Sequence, residues 1–227
     1  VLGAMGALAQ TDVRRMLGYL VISGIGVMLA GIALASPAGV AATVFYAVHS
    51  MIVMTALYLA SGMAARASGS FSIAEPGGLY QSHVVLAGIT LALFFAVSGL
   101  PPFSGFWPKA LMVKASLDVG AWWLAAAILL TGFLTTIAVG RVWLLAYWRP
   151  APAPPEEAST GAKAAAVTPV HALSPLLDFL PLVMLTALVV LIGIFPQKLL
   201  ELSQIASEQL LNPAEYIRSV FPTGGLQ

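Results

Sequence analysis

Ser98-Gly99-Leu100-Pro101-Pro102-Phe103-Ser104-Gly105-Phe106-Trp107-Pro108-Lys109 sets one cation beside a helix-breaking pair in the middle of an apolar stretch. That stretch runs from Val84 to Leu117, 34 residues in which Lys109 and Lys114 are the only ionisable side chains. A continuous helix of that length would run roughly 50 Å, against a hydrocarbon core about 30 Å thick. The segment must tilt strongly, re-enter or break, and Pro101-Pro102 between Gly99 and Gly105 supplies the break. Interrupted backbone at membrane depth is tolerated only where protein or a watery cavity surrounds the freed groups. A lysine beside such a break marks an ion pathway.

The rest of the composition agrees with a membrane-embedded, all-α chain. Hydrophobic residues make up 59% and charged residues 8%, against about 25% charged in soluble domains. A net charge of +1 leaves no basic stripe to neutralise phosphates, so nucleic acid is not an expected partner. The absence of cysteine excludes disulfides, thiolate metal sites and cysteine nucleophiles. His49, His83 and His171 are far apart, without metal-ligand spacing, so no metal and no cofactor is expected. There is no phosphate loop or nucleophile elbow, and an enzyme with its own covalent chemistry is not indicated. The chain opens on Val1 and directly on apolar sequence, without the charged start of a signal peptide. It reads as the C-terminal part of a longer protein.

Working outward from the break, about five transmembrane segments emerge: Leu17 to Leu34, Gly39 to Met63, the broken Val84 to Leu117, Ala121 to Trp148, and Leu176 to Phe195. Arg66 to Ser82 reads as a polar loop, Ser36-Pro37 as a tight turn, and Trp122-Trp123 as interface anchors. The expected organisation is four spans over 1–148, a disordered Ala/Pro/Thr-rich linker over 149–175, a last span over 176–196 and an amphipathic tail over 197–227. In the tail, Leu199, Leu200, Leu202, Ile205 and Leu210 alternate with Glu201, Gln204 and Glu208, as on a helix lying on a membrane or a partner. Asn212-Pro213-Ala214-Glu215 resembles a second helix start there. Arg14, Arg15, Arg66, Arg149 and Lys163 fall on one side, which the positive-inside rule places in the cytoplasm.

Two groups stand out chemically. Lys109 lies where an ammonium is costly, with the opposed ends of two half-helices acting on it. A lysine so placed can gain and lose a proton, as a relay requires; the plainer reading has it snorkelling to the interface, which suits Lys114 better. His49, near the centre of the second span, can pass a proton between its two ring nitrogens; the plainer reading is a hydrogen-bonded packing residue. Ser50, Thr43 and Thr55 nearby are expected to hold water or a hydrogen-bonded chain. Gly99, Pro101, Pro102, Gly105 and Pro108 make the break, with the second half-helix restarting near Pro108. Asp12 with Arg14 and Arg15 reads as a helix start that fixes topology. Arg141, near a span end, is explained by snorkelling, Asp178 by the helix dipole, and His83 and Tyr19 are weaker candidates.

Two of these motifs carry a resemblance. Ala9-Gln10-Thr11-Asp12-Val13-Arg14-Arg15-Met16-Leu17-Gly18-Tyr19, with Ile22-Ser23 and Gly26, resembles a signature of the proton-translocating antiporter-like subunits. That family holds the large membrane subunits of respiratory complex I and the multisubunit cation/proton antiporters. Ser98 to Lys109 resembles the family's second broken helix, and Leu211-Asn212-Pro213-Ala214-Glu215-Tyr216-Ile217 is most similar to the D-type subunits of Mrp (Mnh, Pha) Na⁺/H⁺ antiporters. The resemblance implies about fourteen spans in two inverted five-helix repeats, of which this chain would hold the last five spans. It places Lys109 on the family's key lysine and His49 on a histidine of the preceding helix that serves a hydrated central axis. One departure stands out: many members carry a lysine five residues after that histidine, where this chain has Met54.

The resemblance implies a subunit of a hetero-oligomeric antiporter in a bacterial inner (plasma) membrane, with other subunits, the lipid bilayer, Na⁺ or another monovalent cation, and H⁺ as its partners. Protons would pass through Lys109, His49 and water. The alternatives are a proton-pumping subunit of respiratory complex I or a membrane-bound hydrogenase, and a non-conducting scaffold, which Met54 keeps open.

Overall fold

Asp12 starts the first long helix by accepting the backbone N–H of Arg15 on its carboxylate at 3.1 Å. The helix it caps, α2 (Val13–Ala33), and the next, α3 (Pro37–Ser68), are joined by a short turn. Ser36 closes that turn, its hydroxyl accepting the Gly39 N–H at 3.1 Å, with Pro37 at the first helical position. In this computed structural model, residues 1–73, 77–150 and 175–212 are described, together with 214, 217 and 220; of 175–178 only the backbone is.

The remaining elements are α1 (Leu2–Ala9), α4 (Leu79–Ser82), α5 (Val84–Ser98), α6 (Phe106–Asp118), α7 (Trp122–Val142, continued by a π-helical turn over Trp143–Trp148), α8 (Pro175–Ile194) and α9 (Gln197–Leu211). Among the described residues the fold is all helical, apart from one isolated antiparallel bridge between Asp12 and Ser72. Three helices, Val13–Ala33, Pro37–Ser68 and Trp122–Trp148, are each long and apolar enough to cross a membrane. The third expected span is broken as the sequence predicts, into the half-helices α5 and α6, 15 and 13 residues long. The last, α8, turns by 81° into α9.

Several expectations need adjusting. α3 continues to Ser68, because Ala64 to Ser68 are tolerable helix formers and the stop comes only at Gly69, left-handed at φ 78°. The loop is correspondingly shorter and contains α4. α1 has no counterpart among the expected segments: eight residues, apolar on all sides, give no period to read. It seats on α2 through its glycines, since a Cβ at Gly3 would lie 2.6 Å from the Ser23 nitrogen and one at Gly6 would strike the Tyr19 ring. The linker, His171 and most of the second tail helix start lie outside the described residues, as does the Asp178 side chain.

α3 is the axis of the bundle, packed against α2, α5, α6, α8 and α9. Phe45, Ala56, Leu57 and Ala60 on it are at most 1% exposed. α7 closes the other side against α1, α5 and α6. α9 is the amphipathic helix expected, but its small polar side faces the bundle: Ser203 and Ser207 are buried, and Ser207 Oγ donates to the Pro37 carbonyl at 2.7 Å. Leu202, Ile205 and Leu210 point outward. Serine permits a closer approach to α3 than leucine does.

The α2–α3 hairpin is held by close backbone approach. Thr43 Oγ1 donates to Gly39 O at 2.9 Å and reaches Met28 O at 3.3 Å, and a Cβ on Gly31 would collide with that hydroxyl. Gly31→Ala is therefore expected to cost about 1–3 kcal/mol, seen as a lower melting temperature of the purified full-length protein. Gly26→Ala, with nothing within 4 Å of the added methyl, is expected to be neutral or slightly stabilising; equal behaviour of the two variants would contradict this packing.

Candidate functional site at the helix break

The last four carbonyls of any helix lack intrahelical donors; in α5 these are Phe95, Ala96, Val97 and Ser98. Gly99, left-handed at φ 85°, turns the chain so that its N–H reaches both Phe95 O and Ala96 O at 3.1 Å, while Leu100 N–H reaches Phe95 O at 3.0 Å. Val97 O and Ser98 O remain. Lys109, one turn into α6, supplies both partners: its ammonium donates to Val97 O at 2.9 Å and Ser98 O at 2.6 Å. The positive group sits at the negative end of the α5 dipole, where it is favoured. Lys109 is half-buried and turned into the break. Its stem passes where a Gly99 Cβ would stand, 2.6 Å from Lys109 Cδ and 3.0 Å from Nζ.

The turn between the half-helices contains the Pro101–Pro102 peptide, which is cis. α6 begins at Phe106, two residues before Pro108, which lies in the first turn, where a missing N–H costs nothing. α8 braces the turn from outside. Trp107 Nε1 donates to Gly193 O at 2.8 Å, and a Cβ on Gly193 would collide with Pro102 O. On α7, Gly132 borders the amine: a methyl there would stand in ordinary contact, 3.9 Å from Nζ.

His49 approaches the same break from α3. It is 2% exposed, its Nδ1 lies 2.8 Å from Ser104 Oγ, and Tyr46 stands edge-on at 5.9 Å between centroids. Gly105 makes the approach possible: a Cβ there would collide with Ala96 O and lie 3.0 Å from His49 Nε2. The imidazole thus borders the turn at Ser104 and Gly105, and the ammonium borders it at Gly99. The Gly105 carbonyl is 3.2 Å from the Gly99 Cβ position and joins the two edges. Ser98 Oγ is buried, without a hydrogen-bond partner among the described residues.

Other sequence candidates lie elsewhere. Lys114 is exposed and pairs with Asp118 at 2.7 Å. Thr55 donates to Met51 O at 2.7 Å, and with Ser50, Met54 and Tyr58 it lines an open groove between α2 and α3 instead of joining His49 at the break. Thr43 belongs to the hairpin contact described above. Arg141 does more than snorkel: its Nη1 donates to Leu8 O at 2.7 Å and occupies the end of α1. Ser104, Gly132 and Trp107 were not singled out from sequence. Ser104 and Trp107 lie inside the quoted motif, but Gly132 gives no local signal because its role depends on what packs opposite.

A family profile described as "NADH:quinone oxidoreductase/Mrp antiporter, TM" matches residues 1–135, more than half of the chain. The chain belongs to this family. It is 30% identical over 218 residues to the D-type Na(+)/H(+) antiporter subunit of Alkalihalophilus pseudofirmus, covering 96% of this chain and 42% of the relative. Among solved structures, a chain of the Mrp complex from Dietzia sp. DQ12-45-1b superposes with a TM-score of 0.83 at 29% identity, covering 97% of this chain and 47% of that one. A chain of respiratory complex I from Thermus thermophilus with bound NADH gives 0.70 at 25% identity, covering 92% and 44%. The chain thus spans less than half the length of the relatives it matches. It is a membrane protein of this family, and the profile takes in the whole break together with His49 and Lys109.

Gly99→Ala is expected to destabilise by about 1–3 kcal/mol through its left-handed backbone alone, and by more through collision with Lys109. Gly69→Ala, at φ 78° with nothing within 4 Å, carries only the first cost. Melting temperatures of the two full-length variants separate them; a smaller loss at Gly99 than at Gly69 would contradict the contact.

Proposed function

We propose that this chain is part of a subunit of a multisubunit monovalent cation/proton antiporter in a bacterial inner membrane, and that it carries protons through Lys109, His49 and water. The observation that carries the reading is the ammonium held on the two carbonyls left over at the end of an apolar half-helix, with a buried imidazole on the other edge of the same turn. Groups that end half-helices recur as ion sites in secondary transporters. Loss of its charge weakens the hold of Lys109 on Val97 O and Ser98 O, which couples its protonation to the geometry of the break. The D-type antiporter relative and the Mrp complex chain support the antiporter over other members of the family. The other subunits of such a complex and Na⁺ or a similar cation are the partners this implies. On this reading the protein is a secondary ion transporter subunit, not an enzyme.

A second reading, a proton-pumping subunit of a respiratory complex, is supported by the complex I chain, which matches nearly the same length at 25% identity. The break serves it equally, and co-purification with redox subunits decides between the two. A non-conducting scaffold is the third reading; Met54 is its support, since methionine carries no proton where many family members have lysine.

Lys109→Ala, introduced into the full-length subunit in its assembled complex, is expected to lower cation-driven proton exchange in vesicles at least tenfold, and His49→Ala to lower it by a smaller factor. Unchanged exchange in Lys109→Ala would remove the lysine from the mechanism and favour the scaffold.

A further inference from the structure

The oxygens at the end of α5 form a set of their own. Val97 O and Ser98 O converge on one point, where the Lys109 nitrogen stands 2.9 and 2.6 Å from them. A third oxygen belongs to the same residue as the second. Ser98 is 5% exposed, and its Oγ is the only buried side-chain polar atom without a hydrogen-bond partner among the described residues. Bond lengths alone keep that hydroxyl within about 5 Å of the Ser98 carbonyl oxygen. A buried polar atom left unsatisfied is uncommon and carries a cost.

The ammonium does not account for this hydroxyl. It donates through directed hydrogens, and those that reach the end of α5 finish on the two carbonyls. A metal cation has no directed hydrogens and gathers whatever oxygens lie within reach. Na⁺ in secondary transporters is held by unwound carbonyls and by the C-terminal ends of half-helices, and α5 offers such an end with its negative dipole. The acidic side chains described are Asp12, Asp118, Glu201 and Glu208. They belong to the start of α2, the far end of α6 and α9, so the oxygens at the break are neutral. A neutral set suits a monovalent cation; divalent ones are held through carboxylates.

Cation and ammonium exclude each other. Both require the same two carbonyls, and like charges repel at that range. Lys109 is half-buried, so its amine has a way out along a flexible stem. The end of α5 keeps its form without the lysine, because Gly99 N–H and Leu100 N–H hold Phe95 O and Ala96 O from the backbone.

We propose that Val97 O, Ser98 O and Ser98 Oγ are a binding site for the exchanged monovalent cation, Na⁺ or one of its kind, and that the Lys109 ammonium is its competitor for the same oxygens. This rests on the reading of the break as the site of exchange. Water completes the coordination. One positive charge occupies the end of α5 at a time, so the cation enters as the amine swings out and leaves as the amine returns.

Binding of radioactive Na⁺ to the purified complex containing the full-length subunit, followed by equilibrium dialysis, tests the site. Lys109→Ala removes the competitor and is expected to bind Na⁺ at one site at least tenfold more tightly than the unsubstituted complex. Adding Ser98→Ala is expected to weaken that site at least tenfold. No gain in Lys109→Ala overturns the proposal, as does a gain indifferent to Ser98→Ala. Should Lys109→Ala fail to assemble, Ser98→Ala alone decides, since its hydroxyl has no hydrogen bond to lose. It is expected to raise the half-saturating Na⁺ concentration for exchange in vesicles at least tenfold, and an unchanged value overturns the proposal. Tighter Na⁺ binding with normal exchange in Lys109→Ala would sink the function proposed above but leave the cation site; lost exchange in Lys109→Ala without tighter binding would sink the site alone.

Discussion

The two carbonyls of Val97 and Ser98 are the constraint around which this structure is arranged. A carbonyl buried in protein and left without a donor costs about 1–3 kcal/mol. The Gly99 turn satisfies Phe95 and Ala96 from the backbone; the remaining pair require a donor long enough to reach back across the turn. Lysine on the first turn of α6 is such a donor, and it brings a charge with it. Structural closure of the break and the presence of a titratable cation are therefore one event. Arg141 at the end of α1 solves a similar problem with a side chain from α7. That second instance shows the solution is generic, and that what distinguishes Lys109 is the buried histidine across the same turn.

Close packing follows from this closure. Gly99, Gly105 and Gly193 each stand where a Cβ would collide with the lysine stem or a carbonyl. Two lie on the turn and one on α8, so the break is enclosed from more than one direction. The Trp107 indole bonded to Gly193 O ties the last helix to the turn. The indole is thus a brace between the turn and α8.

How much of this could be read from residues alone depended on whether the signal was local. Proline pairs, a left-handed glycine, a capping aspartate and long apolar runs act over one or two turns, and the break, α2, α3, α7 and α9 were legible to within a few residues. Lys109 and His49 were legible because a charge or an imidazole in hydrocarbon is conspicuous. What was not legible depended on partners distant in sequence: Ser104 opposite His49, 55 residues away; Leu8 O under Arg141, 133 residues away; and the turning of Ser50 and Thr55 into a groove of their own. The seating of α9 through serines escaped for the same reason. Its leucine pattern announced a helix, but only the neighbouring α3 shows which side lies against the bundle.

The pairing of His49 with a serine has a chemical consequence. A hydroxyl gives or takes a hydrogen bond equally well, so Ser104 can satisfy Nδ1 whether that nitrogen carries its hydrogen or not. When a proton leaves one ring nitrogen and another is taken up at the other, rotation of the serine O–H keeps Nδ1 hydrogen-bonded in either neutral tautomer. A carboxylate in the same place would have locked a single form. Nε2, the nitrogen nearest Gly105, is thereby left able to present a hydrogen to the turn at one moment and a lone pair at the next.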